Sequence, residues 1–96
     1  MPSRPPRPVP PSPARPWWVY ILRCGDGTLY TGIALDLAAR LAQHRAGTGA
    51  RYTRGRGPLE LVYREPAPTR AAASRREAAI KRRTRAAKLE LIRRVG

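Results

Sequence analysis

Residues 19–33 read VYILRCGDGTLYTGI, two apolar runs on either side of Gly25-Asp26-Gly27. β-branched and aromatic runs separated by a few residues that include glycine predict a β-hairpin. A three-residue loop with Gly27 at positive φ pairs position 24 with position 28. In that register Tyr20 lies opposite Gly32 and Leu22 opposite Tyr30. Both phenols then emerge on one face as diagonal neighbours, while Val19, Ile21, Leu29 and Ile33 project from the other. A slip by one residue would separate the tyrosines. A core needs aromatic bulk but not two hydroxyls, so the pair raises the question of what converges on that face.

Working outward, residues 36–46 (DLAARLAQHRA) predict a helix, with Asp36 as N-cap and Gly47 just past its end. Leu37 and Leu41 form its seam, flanked by Arg40 and His44, four residues apart. The stretch 47–57 (GTGARYTRGRG) reads as a basic loop or a broken turn. Residues 59–65 (LELVYRE) alternate and give a third strand. After Pro66 and Pro68, Thr69 can cap a long helix, or two, running to the C-terminus. There Ala73, Glu77, Ile80, Thr84, Ala87 and Leu91 fall on one stripe of a 3.6-residue period. A carboxylate on that stripe needs a partner, because burying it alone is costly. The pattern is that of a small α+β domain.

The first 16 residues contain eight prolines and almost nothing that could pack. They read as a disordered or polyproline-II arm, with residues 17–96 as the single folding unit. No apolar h-region of a signal peptide follows the arm's charges. Its PxxP-like spacing would suit an SH3-type groove, although such arms more often act as tethers. No apolar run approaches the ~18 residues that span a bilayer, so no membrane is expected. Cys24, the single cysteine, excludes an internal disulfide and a multi-cysteine zinc site, and fits a reducing cytoplasm.

Net charge is +14, from 20 bases against six acids. The arm holds three of those bases and no acid, which leaves the domain itself at +11. Such a field attracts polyanions; nucleic acid is the default partner and an anionic membrane surface the second. Arginine outnumbers lysine 18 to 2, which suits forked contacts to phosphate and equally fits an arginine-biased genome.

Tyr20, then Tyr30-Thr31-Gly32, then Arg40 and His44 on one helix, then Glu77 on a later one, together resemble the GIY-YIG endonuclease superfamily. The resemblance covers residues 17 to about 92 and is closest to its small stand-alone bacterial members, through DGTLYTGI, GARYTRGRGPLELVY and RREAAIK. It implies a three-stranded antiparallel sheet flanked by helices and metal-dependent hydrolysis of phosphodiesters in nucleic acid, most of all DNA. It further implies a catalytic set of Tyr20, Tyr30, Gly32, Arg40 and His44, with Glu77 holding Mg²⁺ or Mn²⁺. Arg51, Tyr52, Arg54 and Arg56 of the basic loop are expected to contact nucleic acid.

The chemistry suits those residue types. One carboxylate plus a substrate phosphate suffices for Mg²⁺, which keeps several waters. Arg40 offers a fixed fork of donors to developing negative charge. Tyr20 would act as general base or position the water, which requires neighbouring cations and the metal to lower its phenol from ~10. Tyr30 would orient the water or the phosphate. The first motif keeps only its tyrosine, in Val19-Tyr20-Ile21. Ile33 follows Gly32 where some members carry a lysine, and the chain has no asparagine.

Each residue also has a plainer reading. The tyrosines could be sheet residues with one wet end, and Arg40 and His44 a solvated helix edge. Ser74-Arg75-Arg76-Glu77 matches a capping box, and Glu77 to Lys81 is a favourable i,i+4 pair. The loop arginines could serve solubility, and Tyr52 could pack rather than stack on a base. Two functions follow: a DNA endonuclease acting on branched, flapped or damaged structures in repair or recombination, or a non-catalytic, ribosome-associated nucleic-acid-binding protein with a relic site.

Overall fold

A computed structural model of the chain describes residues 15–95. The expected arm lies outside them except for Arg15 and Pro16, and Arg15 reaches Asp36 at 3.9 Å. The elements run β1 (Trp17–Arg23), β2 (Leu29–Ala34), α1 (Leu37–Arg45), a 3₁₀ turn (Arg51–Thr53), β3 (Glu60–Ala67), α2 (Arg70–Lys81) and α3 (Arg85–Val95). The three strands form one antiparallel sheet in the order β2-β1-β3, an α+β architecture.

The hairpin closes as its loop chemistry requires. Gly27 adopts φ 85°, its N–H donates to the Cys24 carbonyl at 2.8 Å, and the Cys24 N–H donates to Thr28 at 2.9 Å. Asp26 caps the loop by accepting from the Thr28 N–H at 3.1 Å and hydroxyl at 2.6 Å, which holds its carboxyl down at about 2. Tyr20 stands opposite Gly32 and Leu22 opposite Tyr30, so both phenols share a face.

The central strand β1 is buried on both sides, and each side has its own apolar cluster. Val19 and Ile21 pack with Tyr63, Ala67, Ala73, Ile80 and Leu91 of β3, α2 and α3. Tyr20 and Leu22 pack with Ala34 and Leu37, and against these lie Trp18, Tyr30, Leu41, Leu59 and Leu61. A bulge opposite Ile21/Leu22 lets β3 serve both layers: Val62 and Tyr63 turn to the first cluster and Leu61 to the second. Burial of a side chain such as Ile80, wholly enclosed, contributes about 1.5–3 kcal/mol.

The caps expected at Asp36 and Thr69 are present, accepting from the Ala39 and Ala72 amides at 3.0 and 3.1 Å. The C-terminal segment is two helices, and here the stripe needs correction. Thr84 is exposed and stands at the break, where its hydroxyl accepts from the Ala87 amide at 3.1 Å and starts α3. A threonine that can cap favours ending one helix and opening another over continuing through. The capping-box reading of Ser74 and Glu77 also falls, because α2 begins at Arg70 and Ser74 lies a turn inside it. Among the described residues no helix is long and apolar enough to cross a membrane.

Candidate active site

The face of the sheet carrying the two phenols is covered by α1, which delivers His44 to Tyr20. The Tyr20 hydroxyl and His44 Nε2 lie 2.7 Å apart, and both residues are buried. The direction of this bond follows from the other ring nitrogen. Thr53 donates its hydroxyl proton to the Ala50 carbonyl at 2.9 Å, so its oxygen accepts from His44 Nδ1–H, also at 2.9 Å. The imidazole therefore carries its proton on Nδ1, and Nε2 accepts the Tyr20 proton. Burial, and then the charge of Arg40, hold His44 below its ordinary 6.5, so the ring is neutral at pH 7.

Two glycines make this packing possible. A Cβ on Gly32 would come within 2.6 Å of the Tyr20 hydroxyl oxygen and 2.8 Å of Cζ. One on Gly49 would come within 2.6 Å of His44 Nδ1. Tyr30 completes the cluster, its ring 6.4 Å from Tyr20 and 5.3 Å from His44 between centroids.

Arg40 and Glu77 complete the expected group. Burial dominates the Tyr20 phenol and pushes it up to about 12; Arg40 pulls it down, while Tyr30 and Glu77 add to the rise. In the protein without an ion, desolvation exceeds the pull of one guanidinium. Arg40 also donates to Gln43 at 3.0 Å, which steadies its fork on α1. Glu77 is mostly buried and pairs with Lys81 at 3.4 Å, so the i,i+4 contact exists alongside its electrostatic reach to Tyr20.

The basic loop divides. Tyr52 stacks on Tyr30 at 5.8 Å, and the Arg56 guanidinium lies 4.3 Å from the centre of the Tyr52 ring. Arg56 also binds Asp26 at 2.6 Å, tying the loop to the hairpin. These two side chains have structural partners; Arg51 and Arg54 are exposed beside them. Sequence reasoning missed Thr53 and Gly49, which set the tautomer and seat of His44. It also missed the cluster that orients α2: Tyr63 donates to Glu65, and Arg76 Nε meets both Glu65 oxygens at 3.0 and 2.9 Å. No periodicity or motif marks the contacts of His44 with Thr53 and of Arg76 with Glu65, which join different elements.

Among the described residues no group of three or more His, Cys, Asp or Glu could hold a metal ion. A single carboxylate with phenols beside it does not make a protein cage. It does fit Mg²⁺ or Mn²⁺ shared with a substrate phosphate, the ion keeping most of its waters.

Comparison with known proteins places the fold in a family. Residues 16–90 match the model of the GIY-YIG catalytic domain. A UPF0213 protein of Streptococcus sanguinis is 52% identical over 75 residues, 78% of this chain and 86% of that protein. One of Staphylococcus epidermidis is 51% identical over 75 residues, covering 78% of this chain and 92% of its own length. Among solved structures, the solution structure of a UPF0213 protein from Bacillus halodurans matches with TM-score 0.52 at 43% identity, over 79% of this chain and 81% of that one. A protein from E. faecalis matches with TM-score 0.59 at 35% identity, over 83% and 85%. With its sheet, its paired tyrosines and most of its length accounted for, the chain belongs to the GIY-YIG nuclease-domain family as a small stand-alone member.

Proposed function

We propose that the protein is a metal-dependent endonuclease that hydrolyses phosphodiester bonds in DNA with little sequence preference, acting on branched, flapped or damaged structures in the cytoplasm. Family membership supplies the nuclease class and a nucleic-acid substrate. The observation that carries the finer reading is the buried hydrogen bond from Tyr20 to an unprotonated His44 Nε2.

That bond offers a route around the high pKa of the phenol. Tyr20 is enclosed in the free protein, so the route requires bound substrate to open the cover over its oxygen. As water then attacks phosphorus, its proton passes to the Tyr20 oxygen while the Tyr20 proton passes to Nε2 of His44. The phenol never carries a full charge, so the rise to about 12 is no obstacle to a coupled transfer. His44 ends as imidazolium, with Nδ1–H still held by Thr53. Arg40 faces the charge growing on the phosphoryl oxygens. Glu77, with a substrate phosphate, would hold a divalent cation, which when bound neutralises phosphate charge and eases departure of the leaving oxygen. Tyr30, beside both rings, orients the water or the phosphate.

Nicking of supercoiled plasmid and branched DNA with Mg²⁺, Mn²⁺ or EDTA tests this reading. Cleavage with either metal and none with EDTA is expected. Glu77→Ala should abolish cleavage while leaving DNA binding intact. Its melting temperature should hardly move, because the Lys81 pair is a helix-surface contact worth at most about 0.5 kcal/mol. A Glu77→Ala protein that cleaves like the parent removes the metal assignment.

A further inference from the structure

A hollow of about 280 Å³ lies along the free edge of β2, lined by Leu29, Tyr30, Thr31, Tyr52, Lys81 and Lys88. Tyr30 and Thr31 are consecutive and point to opposite faces of the sheet, so a cavity that touches both must wrap the strand's unpaired edge. Tyr30 is the residue it shares with the candidate site.

The polar complement of this hollow is unusual in two respects. Lys81 and Lys88 are the chain's two lysines, against 18 arginines, and both line it although they sit on different helices. Lysine brings a compact charge on a flexible stem with three rotatable donors. Lys88 is half-buried and has no ion pair among the described residues. Lys81 is bound to Glu77 at 3.4 Å but has two further donors to offer.

Thr31, beside them, is 3% exposed, and its hydroxyl oxygen is enclosed and without a hydrogen-bond partner among the described residues. An enclosed oxygen does not meet a ligand, so the seat rests on the two lysines. One unpaired ammonium and a second with donors to spare around one hollow call for a small anion with several acceptor oxygens.

We propose that Lys81 and Lys88 form a second phosphate seat, which holds a backbone phosphate of the DNA strand next to the one presented to Tyr20. The seat rests on the nuclease reading for its choice of ligand. It fixes the strand's course around the β2 edge, and Tyr30, lining both places, separates the two phosphates. Because phosphate is common to all sequences, the seat adds affinity and register without sequence preference.

Binding of the full-length protein to a fluorescent DNA duplex, measured by anisotropy in EDTA across a salt series, tests the seat without cleavage. Lys88→Gln should reduce the log–log salt slope by about one and weaken binding several-fold. Arg94→Gln, which removes an equal charge from an exposed position on the same helix, should do so far less. Single methylphosphonates walked along the strand should reveal one position whose neutralisation weakens the parent but not Lys88→Gln. Lys88→Gln matching Arg94→Gln, a methylphosphonate profile alike in both proteins, or no DNA binding by the parent overturns the seat. The two readings separate cleanly: metal-dependent nicking with none of these effects removes the seat alone, and these effects without nicking remove the nuclease reading alone.

Discussion

At Gly32 an absent side chain does as much as any present one. The Tyr20 phenol lies over this backbone, with its oxygen 2.6 Å from where a Cβ would stand. Tyr20 is wholly buried and hydrogen-bonded, and cannot swing aside cheaply. Gly32→Ala should therefore cost about 1–3 kcal/mol in thermal or denaturant melts through overpacking, and should remove cleavage by displacing the hydroxyl. His44 gives a second prediction at this scale. Its folded pKa lies below the ordinary 6.5, so the unfolded chain takes up the proton first as pH falls. Stability should be full above pH 6.5 and decline below it. The acid limb of the cleavage profile should likewise lie below pH 6.5, as pH-dependent melts and rates would show. The choice of Tyr20, Tyr30, Gly32 and His44 as a site rested on the family resemblance. The register that sets Tyr20 opposite Gly32 and Leu22 opposite Tyr30 was legible in the sequence, because short-range pairing carries it. The direction of the proton on His44 was not, since it depends on Thr53, nine residues away across an irregular loop.

Among the elements, α2 decides whether Glu77 faces the site. Its apolar contacts are few and small, with Ala73 and Ile80 the buried pair, and alanine specifies rotation weakly. The Tyr63–Glu65–Arg76 cluster supplies what packing does not, fastening α2 to β3 one residue before Glu77. Its charges are less than one-third exposed, so breaking it strands a carboxylate with one partner. Arg76→Ala should cost roughly 1–3 kcal/mol and reduce cleavage by turning Glu77 away. A variant that melts lower but cleaves normally would show that α2 is held by other contacts. The hairpin, α1 and β3 could be read from periodicity and turn residues, since each is specified within its own segment. The break at Thr84 could not, because the stripe continues through it and only the competing cap on Ala87 decides where one helix ends.

For the whole molecule, the site forms where separately specified pieces meet: Tyr20 and Tyr30 from the sheet, Arg40 and His44 from α1, Thr53 from the loop, and Glu77 from α2. A domain of +11 attracts nucleic acid whatever the site does, so binding alone does not distinguish a nuclease from a passive partner. The distinguishing property is proton transfer through Tyr20, which no binding role requires. Removing its hydroxyl leaves the ring that fills the core, takes away the proposed relay and leaves the buried His44 Nε2 without its donor. The most direct measurement is the single-turnover rate of cleavage by Tyr20→Phe and the parent, at saturating DNA with Mg²⁺. Loss of about 10²–10⁴-fold in rate with unchanged DNA affinity is the predicted result, and a Tyr20→Phe protein that cleaves at the parent's rate would contradict the account.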